Sequence, residues 1–353
     1  MKIGLIQSVI GAGGGYDKVL FSLLEKLSTT NHTVTVYTLG KPLVEIPKKF
    51  KIEVFLPLRI PFFGIYQTFL DSKLIKKAKN DDMIINLTTN MLTTNKDQKT
   101  IFLYKNFSLP NDKNATSKYN HGFWKLYYKP YKIILNKLKN KLENKNTRIF
   151  GSSKFVAEKM TKILNCHVEV LYPPVEIESF KNNYEQKSGI VSVSRFAREK
   201  NLEFMISIMS EIDEDLEIIG SAISKNNNYI KSLKKLIKSS NVKLLVNIPR
   251  EELISHVKKS KVYFHTSNET FGISVVEAMS AGCIPIVPNS GGHKETVPFD
   301  ELRYEINNYD DASLKLKLAC EGKFDHYLPK IKSHAETFNK TVFQSKILKE
   351  IEN

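Results

Sequence analysis

Asn268-Glu269-Thr270-Phe271-Gly272-Ile273-Ser274-Val275-Val276-Glu277-Ala278-Met279-Ser280-Ala281-Gly282 is a stretch in which a loop turns into a helix. The apolar run from Lys261 to Thr266 precedes it and predicts a buried strand, and the helical pattern ends at Gly282. A strand, a loop and a helix in this order are typical of an α/β sheet, in which ligands bind at the carboxyl ends of the strands. The stretch therefore predicts an α/β fold and the edge of the sheet that carries its site.

The stretch contains two carboxylates, one in the loop and one in the helix. Glu269 is in the loop after the predicted strand, and Glu277 is about one turn into the helix. The free N–H groups and the positive dipole end of the helix, near Ile273, favour an anion. Acids on either side of an anion site would bind the hydroxyls of two polyols joined by a diphosphate. That description fits a nucleotide sugar.

Short apolar runs alternate with helical patterns on both sides of the segment Leu171–Glu176, in which Pro173 and Pro174 interrupt the alternation. Such alternation predicts mostly parallel sheets, and 353 residues exceed what one hydrophobic core usually supports. The predicted strands are Lys2–Gln7, Thr33–Thr38, Lys51–Phe55, Met83–Leu87, Thr100–Leu103 and Arg148–Phe150, then Gly189–Val193, Leu216–Ile219, Val242–Leu245, Val262–Thr266 and Ile284–Val287.

We therefore expect an α/β fold of two Rossmann-like domains that face a central cleft. The predicted domains are residues 1–171 and residues 172–333, and the second contains the candidate site for a nucleotide sugar. The last pattern, from His334 to Ile351, predicts one amphipathic helix. We expect this C-terminal segment, residues 334–353, to cross back and pack on the first domain.

The composition is that of a globular protein with an excess of positive charge. The net charge is +16 and the pI is near 9.4. The lysines are spread along the chain without a zinc-knuckle, RRM or recognition-helix pattern, so nucleic acid is not an expected partner. The sequence contains no run of about 18 apolar residues, and its N-terminus predicts a strand rather than a signal peptide. We therefore expect a cytoplasmic protein.

A glycine-rich loop, Gly11-Ala12-Gly13-Gly14-Gly15-Tyr16-Asp17, joins the first predicted strand to a predicted helix, Asp17–Leu27. Glycines allow the backbone to approach a ligand closely, and a helix start favours an anionic group. The loop fits neither the dinucleotide-binding pattern nor the P-loop. A plain turn would need one glycine and hardly four, so we interpret the loop as ligand-binding rather than as a plain turn.

Two cations, Arg195 and Lys200, follow the first predicted strand of the second half. Cations at this edge suit a diphosphate leaving group, although the same spacing is common in solvated charge runs. Asp213-Glu214-Asp215 has the spacing of a D-x-D metal motif, but it precedes a strand and so lies at the opposite end of the sheet. We therefore expect no metal site, and we expect cations and helix dipoles to neutralise the phosphates.

Two further segments each leave two interpretations open. Ser290-Gly291-Gly292 lies between a strand and a helix and is either a ligand cradle or a plain turn. The stretch Gly122–Lys139 interleaves aromatic residues with lysines and contains Trp124. With Phe55–Phe69 as a companion, it would either lie on an anionic membrane surface, as in a peripheral protein of the cytoplasmic face, or pack as an ordinary helix on its own sheet.

Several loops together resemble glycosyltransferase family 4, whose members are retaining enzymes of the GT-B fold. The likeness is strongest between residues 262 and 297. Within the family it is closest to mannosyltransferases that extend dolichol-linked oligosaccharides. The pieces that match the family are the glycine-rich first loop, Arg195, Lys200, Glu269–Ile273, Glu277–Gly282, Pro285, Ser290–Gly292 and Glu295. The narrower likeness rests on Ala12–Leu20, Tyr172–Val175 and Asn289–Gly292.

The resemblance implies a role for each matched residue. Arg195 and Lys200 would hold the donor diphosphate and Glu269 would contact the transferred sugar, which makes these three the candidate catalytic residues. It implies GDP-mannose as donor, with a UDP-sugar as the alternative, a glycan or polyprenol-linked oligosaccharide as acceptor, and no cofactor. The other candidate donor-binding residues are Gly14, Gly15, Phe271, Gly272, Ile273, Glu277 for the ribose hydroxyls, Gly291 and Gly292.

The chain departs from the family pattern at two places. Asp17 stands where many members have Glu. Tyr104-Lys105-Asn106-Phe107 stands where many members carry a His near the acceptor, and Asn106 cannot act as a general base. Asn106 and His121 are the acceptor-side candidates, and no general base is assigned.

We therefore expect a retaining glycosyltransferase that moves a hexose, with mannose favoured, in glycan biosynthesis such as protein glycosylation. Two alternatives stay open. A sugar-nucleotide 2-epimerase of the same fold would convert its donor without an acceptor. A catalytically weak subunit would only bind a sugar nucleotide.

Overall fold

The computed structural model describes residues 1–11, 14–56, 63–88, 98–104, 146–181, 186–222, 227–238 and 240–353. The chain divides into two compact units. The first unit comprises Met1–Pro173 together with Gln344–Asn353, and the second comprises Pro174–Phe343. Each unit is built around one parallel sheet, as the alternation of apolar runs predicts.

The strands of the first sheet are β1 Lys2–Ile6, β2 Thr33–Thr38, β3 Lys51–Val54, β4 Met83–Asn86, β5 Lys99–Tyr104, β6 Thr147–Gly151 and β7 Glu169–Val170. Their order in the sheet is β3-β2-β1-β4-β5-β6-β7. Strand β1 lies between β2 and β4, since Ile3 pairs with Val34 on one side and with Met83 on the other. The described helices of this unit are Gly15–Leu27, Phe63–Lys77 and Lys154–Leu164.

The strands of the second sheet are β8 Ile190–Val193, β9 Leu216–Gly220, β10 Val242–Val246, β11 Val262–Phe264, β12 Ile284–Pro288 and β13 Arg303–Tyr304. Their order in the sheet is β10-β9-β8-β11-β12-β13, and all the pairs are parallel. The α-helices that begin in this unit are Leu202–Ile208, Asn227–Leu236, Arg250–Lys259, Ile273–Ser280, His293–Thr296, Tyr309–Cys320, Leu328–Glu336 and Lys340–Glu352.

The predicted strands of both halves are confirmed, each within a few residues of its predicted ends. In both sheets the chain starts near the middle, adds strands on one side and then crosses to the other. The point of reversal lies between β1 and β4 in the first sheet and between β8 and β11 in the second. Ligands of doubly wound sheets bind outside the carboxyl ends of the strands at this point.

The helix Ile273–Ser280 lies at the centre of the second unit. Its residues from Val275 to Ser280 are all buried, as expected for a helix that is apolar on most sides. The chain ends this helix at Gly282, which has φ 78°, and the Cys283 N–H donates to the Ala278 carbonyl over 3.0 Å. A glycine in this conformation is a common helix stop, so the predicted end is confirmed.

The prediction of one continuous C-terminal helix is wrong. The structure has two helices, Leu328–Glu336 and Lys340–Glu352, with a break between them. Val175 causes the break, because its N–H donates to the Phe338 carbonyl and its carbonyl accepts from the Lys340 N–H. The second helix leaves the second unit and ends in the first, where Glu350 pairs with Arg148 over 3.1 Å.

A glycine that was not among the predicted site residues, Gly220, allows two loops to approach each other closely. Gly220 ends β9, and a Cβ added there would lie 1.6 Å from the Ser194 carbonyl oxygen. Ser194 directly follows β8, in the segment that leads to Arg195 and Lys200. The position therefore accepts only glycine unless the backbone of one loop moves.

A buried histidine joins two other loops of the second unit. His293 Nε2 lies 3.1 Å from the Ser267 carbonyl oxygen, and its ring meets the His265 ring edge-on at 5.3 Å. The side chain is fully buried. Burial lowers the pKa of His293 to about 3, and the neighbouring His265 adds to this effect. His293 is therefore neutral in the folded protein near pH 7 and donates from Nε2.

Among the residues that the structure describes, no helix is long and apolar enough to cross a membrane. The proposed membrane-binding stretch, Gly122–Lys139, lies outside the described residues. Membrane attachment therefore stays a prediction.

Gly220→Ala should destabilise the second unit. The added Cβ meets backbone atoms of Ser194, which cannot turn away as a flexible side chain would. We expect a loss of roughly 1–3 kcal/mol, measured by urea unfolding. Gly40→Ala is the matched control, since a Cβ there has nothing within 4 Å. Equal stability of the two variants would contradict the close approach.

His293→Gln should change how stability depends on pH. The folded-state pKa of His293, about 3, lies below the ordinary value of 6.5 for a histidine, so the unfolded chain binds a proton first as the pH falls. Because of this group, the free energy of unfolding of the wild type should fall by about 2 kcal/mol from pH 7 to pH 5. The His293→Gln variant should lack this part of the pH dependence. Urea unfolding at the two pH values measures it. The exposed His326→Gln serves as control, and identical slopes for wild type and His293→Gln would refute the assignment.

Candidate active site

The loops after β8 and β11 meet at the point where the second sheet reverses. The two strands are neighbours, with Tyr263 paired to Val191. Thr266 Oγ1 donates to the backbone of the other loop, lying 2.9 Å from the Lys200 carbonyl oxygen and 3.1 Å from that of Asn201. Residues far apart in the sequence are thereby fixed at one edge of the sheet.

Lys200 and Glu269 form a direct ion pair across these loops, between Nζ and Oε1. Their side chains are 14% and 22% exposed. Attraction between charges so far removed from water exceeds that of an exposed pair. The structure therefore brings together two of the three predicted catalytic residues.

His265 and Ser267 complete the surroundings of the Glu269 carboxylate. Ser267 Oγ donates to Glu269 Oε1 over 2.9 Å, and His265 Nε2 lies 3.1 Å from the same oxygen. Burial alone would raise the pKa of the Glu269 carboxyl, but the hydrogen bond and charge of His265 and the charge of Lys200 hold it well below its ordinary range. Glu269 is therefore an anion at neutral pH and a poor candidate for a general acid.

Tyr263 and Tyr304 connect the segments around this network through their hydroxyl groups. Tyr263 OH donates to the Val193 carbonyl over 3.1 Å and lies 2.8 Å from Ser274 Oγ, in the first turn of the helix Ile273–Ser280. Tyr304 OH donates to the His265 carbonyl over 2.8 Å. Both tyrosines are fully buried, so β8, β11 and the start of the helix form one rigid support.

The helix Ile273–Ser280 starts beside this network. Gly272 precedes it with φ 95°, a conformation that favours glycine. A Cβ at Gly272 would also lie 3.3 Å from His293 Cε1. The first N–H groups of a helix are without intrahelical partners and attract anions. That Phe271–Ile273 bind the donor stays a prediction.

Glu277 lies deeper in the same helix and has its own cation. Its side chain is 6% exposed, and Arg250 Nη2 donates to its Oε1 over 3.2 Å. Arg250 begins the helix Arg250–Lys259, after β10. The two carboxylates of the opening stretch are therefore bound by different residues and stand in separate surroundings.

Gly291 and Gly292 bring their loop against the Glu269 loop. A Cβ at Gly291 would lie 2.4 Å from the Glu269 carbonyl oxygen, and one at Gly292 would lie 2.4 Å from that of Thr270. The Gly292 N–H donates to the Glu269 carbonyl over 2.8 Å. Loop packing thus accounts for both glycines, and a contact with a ligand stays a prediction.

The other predicted site residues belong to other segments of the chain. The Arg195 side chain is 62% exposed and pairs with Glu199 over 3.3 Å. Gly14, with φ 101°, and Gly15 lie in the first unit at the start of the helix Gly15–Leu27. Asp17 there accepts from Gln7 Nε2 over 2.8 Å and from the Gly11 N–H over 3.0 Å, which fixes the loop. The acceptor-side candidates, Asn106 and His121, lie outside the described residues.

Sequence reasoning missed four residues that contact the two carboxylates or their loops: His265, Ser267, Arg250 and His293. A polar pair just after a buried strand, His265 and Ser267, was the one usable signal. Arg250 could not be found in this way, because its contact depends on how the strands are ordered. No group of three or more His, Cys, Asp or Glu side chains suited to a metal ion occurs in the described part of the chain.

Residues 175–327 match the model of the family described as Glycosyl transferases group 1. The chain is 27% identical over 210 residues to the GDP-Man:Man(3)GlcNAc(2)-PP-Dol alpha-1,2-mannosyltransferase of Dictyostelium discoideum, covering 52% of this chain and 41% of that protein. It is 33% identical over 153 residues to the enzyme of the same name from Xenopus tropicalis, covering 37% and 31%. The chain thus spans less than half the length of these relatives.

The fold is similar to that of a sucrose-phosphate synthase from Thermosynechococcus elongatus. The TM-score is 0.79 at 17% identity, over 99% of this chain and 98% of that one. At this identity the likeness concerns the fold alone. The chain therefore has the GT-B fold, and its second unit contains the region that matches the model of the group 1 glycosyl transferases.

Proposed function

We propose that the protein transfers a hexose, with mannose favoured, from a nucleotide sugar to a glycan or polyprenol-linked oligosaccharide with retention of configuration. The observation that carries this proposal is the Lys200–Glu269 pair, beside the start of the helix Ile273–Ser280 at the reversal point of the sheet. It places a cation, a helix N-terminus and an ionised carboxylate at one edge. These are the groups that a sugar diphosphate requires.

The diphosphate would lie against Lys200 and the N-terminus of the helix, near Gly272. As the bond between the sugar and the phosphate oxygen breaks, negative charge grows on the diphosphate, and fixed cations and helix dipoles stabilise it. Arg195 would add a second cation from the loop after β8. Gly14 and Gly15 stay candidate donor-binding residues of the first unit.

The transferred sugar would lie beside Glu269. An ionised carboxylate accepts hydrogen bonds from sugar hydroxyls and favours positive charge that develops on the sugar ring as the leaving group departs. Lys200, His265 and Ser267 share Oε1 and so set the orientation of the carboxylate. In the retaining step, the acceptor oxygen would bond to the sugar carbon as the phosphate oxygen leaves, and a phosphate oxygen would take the acceptor proton.

The proposed substrates follow the relatives. Those from Dictyostelium discoideum and Xenopus tropicalis are named as GDP-Man-dependent alpha-1,2-mannosyltransferases of a dolichol-linked glycan. We therefore favour GDP-mannose as donor, with Glu277 at the ribose hydroxyls, and a lipid-linked glycan as acceptor. The 2-epimerase alternative is not retained, because the family model and these relatives are those of transferases.

Glu269→Gln and Glu269→Ala should abolish transfer while the fold remains. Glutamine keeps the size of the side chain and removes its charge, so we expect a rate loss on the order of 100-fold or more. The assay follows release of GDP from GDP-mannose with and without a polyprenol-linked glycan. Near-UV circular dichroism checks the fold.

Glu217→Gln is the matched control for Glu269. Its side chain is 24% exposed and it also binds a histidine, His256, over 2.6 Å, but it lies on β9. We expect its turnover to equal that of the wild type. Unchanged turnover in Glu269→Gln would refute the assignment, and a wild type that binds the donor without transfer would point to a binding subunit.

A further inference from the structure

Arg250 makes a contact that the proposed donor site requires. Its Nη2 lies 3.2 Å from Oε1 of Glu277, the residue that would bind the ribose in the proposed function. We propose that Arg250 is a positioning residue for Glu277 and, through it, sets the affinity for the ribose of a bound nucleoside diphosphate. This inference rests on the proposed function.

The burial of Glu277 is the first step of the argument. The Glu277 side chain is 6% exposed, and its helix neighbours Val276 and Ala278 are fully buried apolar residues. A carboxylate so far removed from water needs a compensating charge or hydrogen bonds. Arg250 supplies both, since its guanidinium is charged and donates to the carboxylate. Glu277 can therefore be an ionised acceptor inside an apolar helix.

The support of Arg250 itself is the second step. Its guanidinium carbon lies 5.5 Å from the centre of the Phe180 ring, which is fully buried. A cation over an aromatic face is attracted to it, and a fixed ring fixes the plane of the guanidinium. Three segments meet in this way: Glu178–Phe180, the helix Arg250–Lys259 and the helix Ile273–Ser280. Arg250 is thus held between a ring and a carboxylate.

The chemistry of ribose binding is the third step. The 2′ and 3′ hydroxyls donate to a carboxylate only when its plane faces them. The last torsion of a glutamate is broad, so a free carboxylate would have to be ordered as the ligand binds. The Arg250 hydrogen bond sets this torsion beforehand. Loss of Arg250 should therefore weaken recognition of the ribose hydroxyls and leave the rest of the nucleotide site intact.

Titration calorimetry with a nucleoside diphosphate and its 2′,3′-dideoxy form tests the proposal. The probes are GDP and UDP with their dideoxy analogues, and the proteins are wild type, Arg250→Gln, Glu277→Gln and the double variant. Arg250→Gln should weaken binding of the ribose form about 10-fold and leave the dideoxy form nearly unchanged. In the Glu277→Gln background, Arg250→Gln should have no further effect on either form.

Arg148→Gln is the matched control. Arg148 is 41% exposed, pairs with Glu169 over 2.7 Å and lies 6.0 Å from the Phe150 ring centre, so it resembles Arg250 but belongs to the first unit. The Arg148→Gln variant should bind all four probes with the affinity of the wild type. Arg250→Lys keeps the charge without the planar fork and should give a partial loss, which provides a second variant if Arg250→Gln does not fold.

Equal weakening of the ribose and dideoxy forms in Arg250→Gln would overturn the proposal, as would no weakening of either. A further loss in the double variant relative to Glu277→Gln would show that Arg250 acts by another route and would also overturn it. A wild type that binds neither GDP nor UDP would refute the proposed function itself. A wild type that prefers ribose, with the same preference in Arg250→Gln, would refute only the role of Arg250.

Discussion

The ion pair between Lys200 and Glu269 is the interaction on which the rest of the site depends. The two residues are 69 positions apart in the sequence and come from loops after neighbouring strands. Their attraction fixes the two loops to each other, and the hydrogen bonds from Thr266 to the Lys200 and Asn201 carbonyls reinforce the link. The site therefore exists only when β8 and β11 are paired.

The site that we propose for a diphosphate also contains two carboxylates, Glu269 and Glu277. Like charges within a few ångströms repel strongly where water is excluded. Each carboxylate forms an ion pair with a different cation, Glu269 with Lys200 and Glu277 with Arg250. Each carboxylate can then accept hydroxyls while the helix N-terminus between them remains attractive to phosphate. The opening stretch supplies the acids, and other segments supply their counter-charges.

Local patterns predicted much of this fold, and contacts between distant segments account for what they missed. Apolar runs predicted the strands, and Gly282 predicted the end of the central helix, because each signal lies within the element it describes. The break before Lys340 depends on Val175, which no periodicity near His334 could reveal. Arg250 was missed for the same reason, since its contact with Glu277 joins segments that are distant in the sequence. His265 was hidden in a run that was interpreted by its apolar residues alone.

The contact of Gly291 and Gly292 with the Glu269 loop has a consequence for protein engineering. Both glycines pack against backbone atoms of residues 269–271, so neither loop has room to change shape independently of the other. An exchange of the Glu269 loop for one of different length or conformation would therefore clash with the loop that carries Gly291 and Gly292. The two loops are best replaced together.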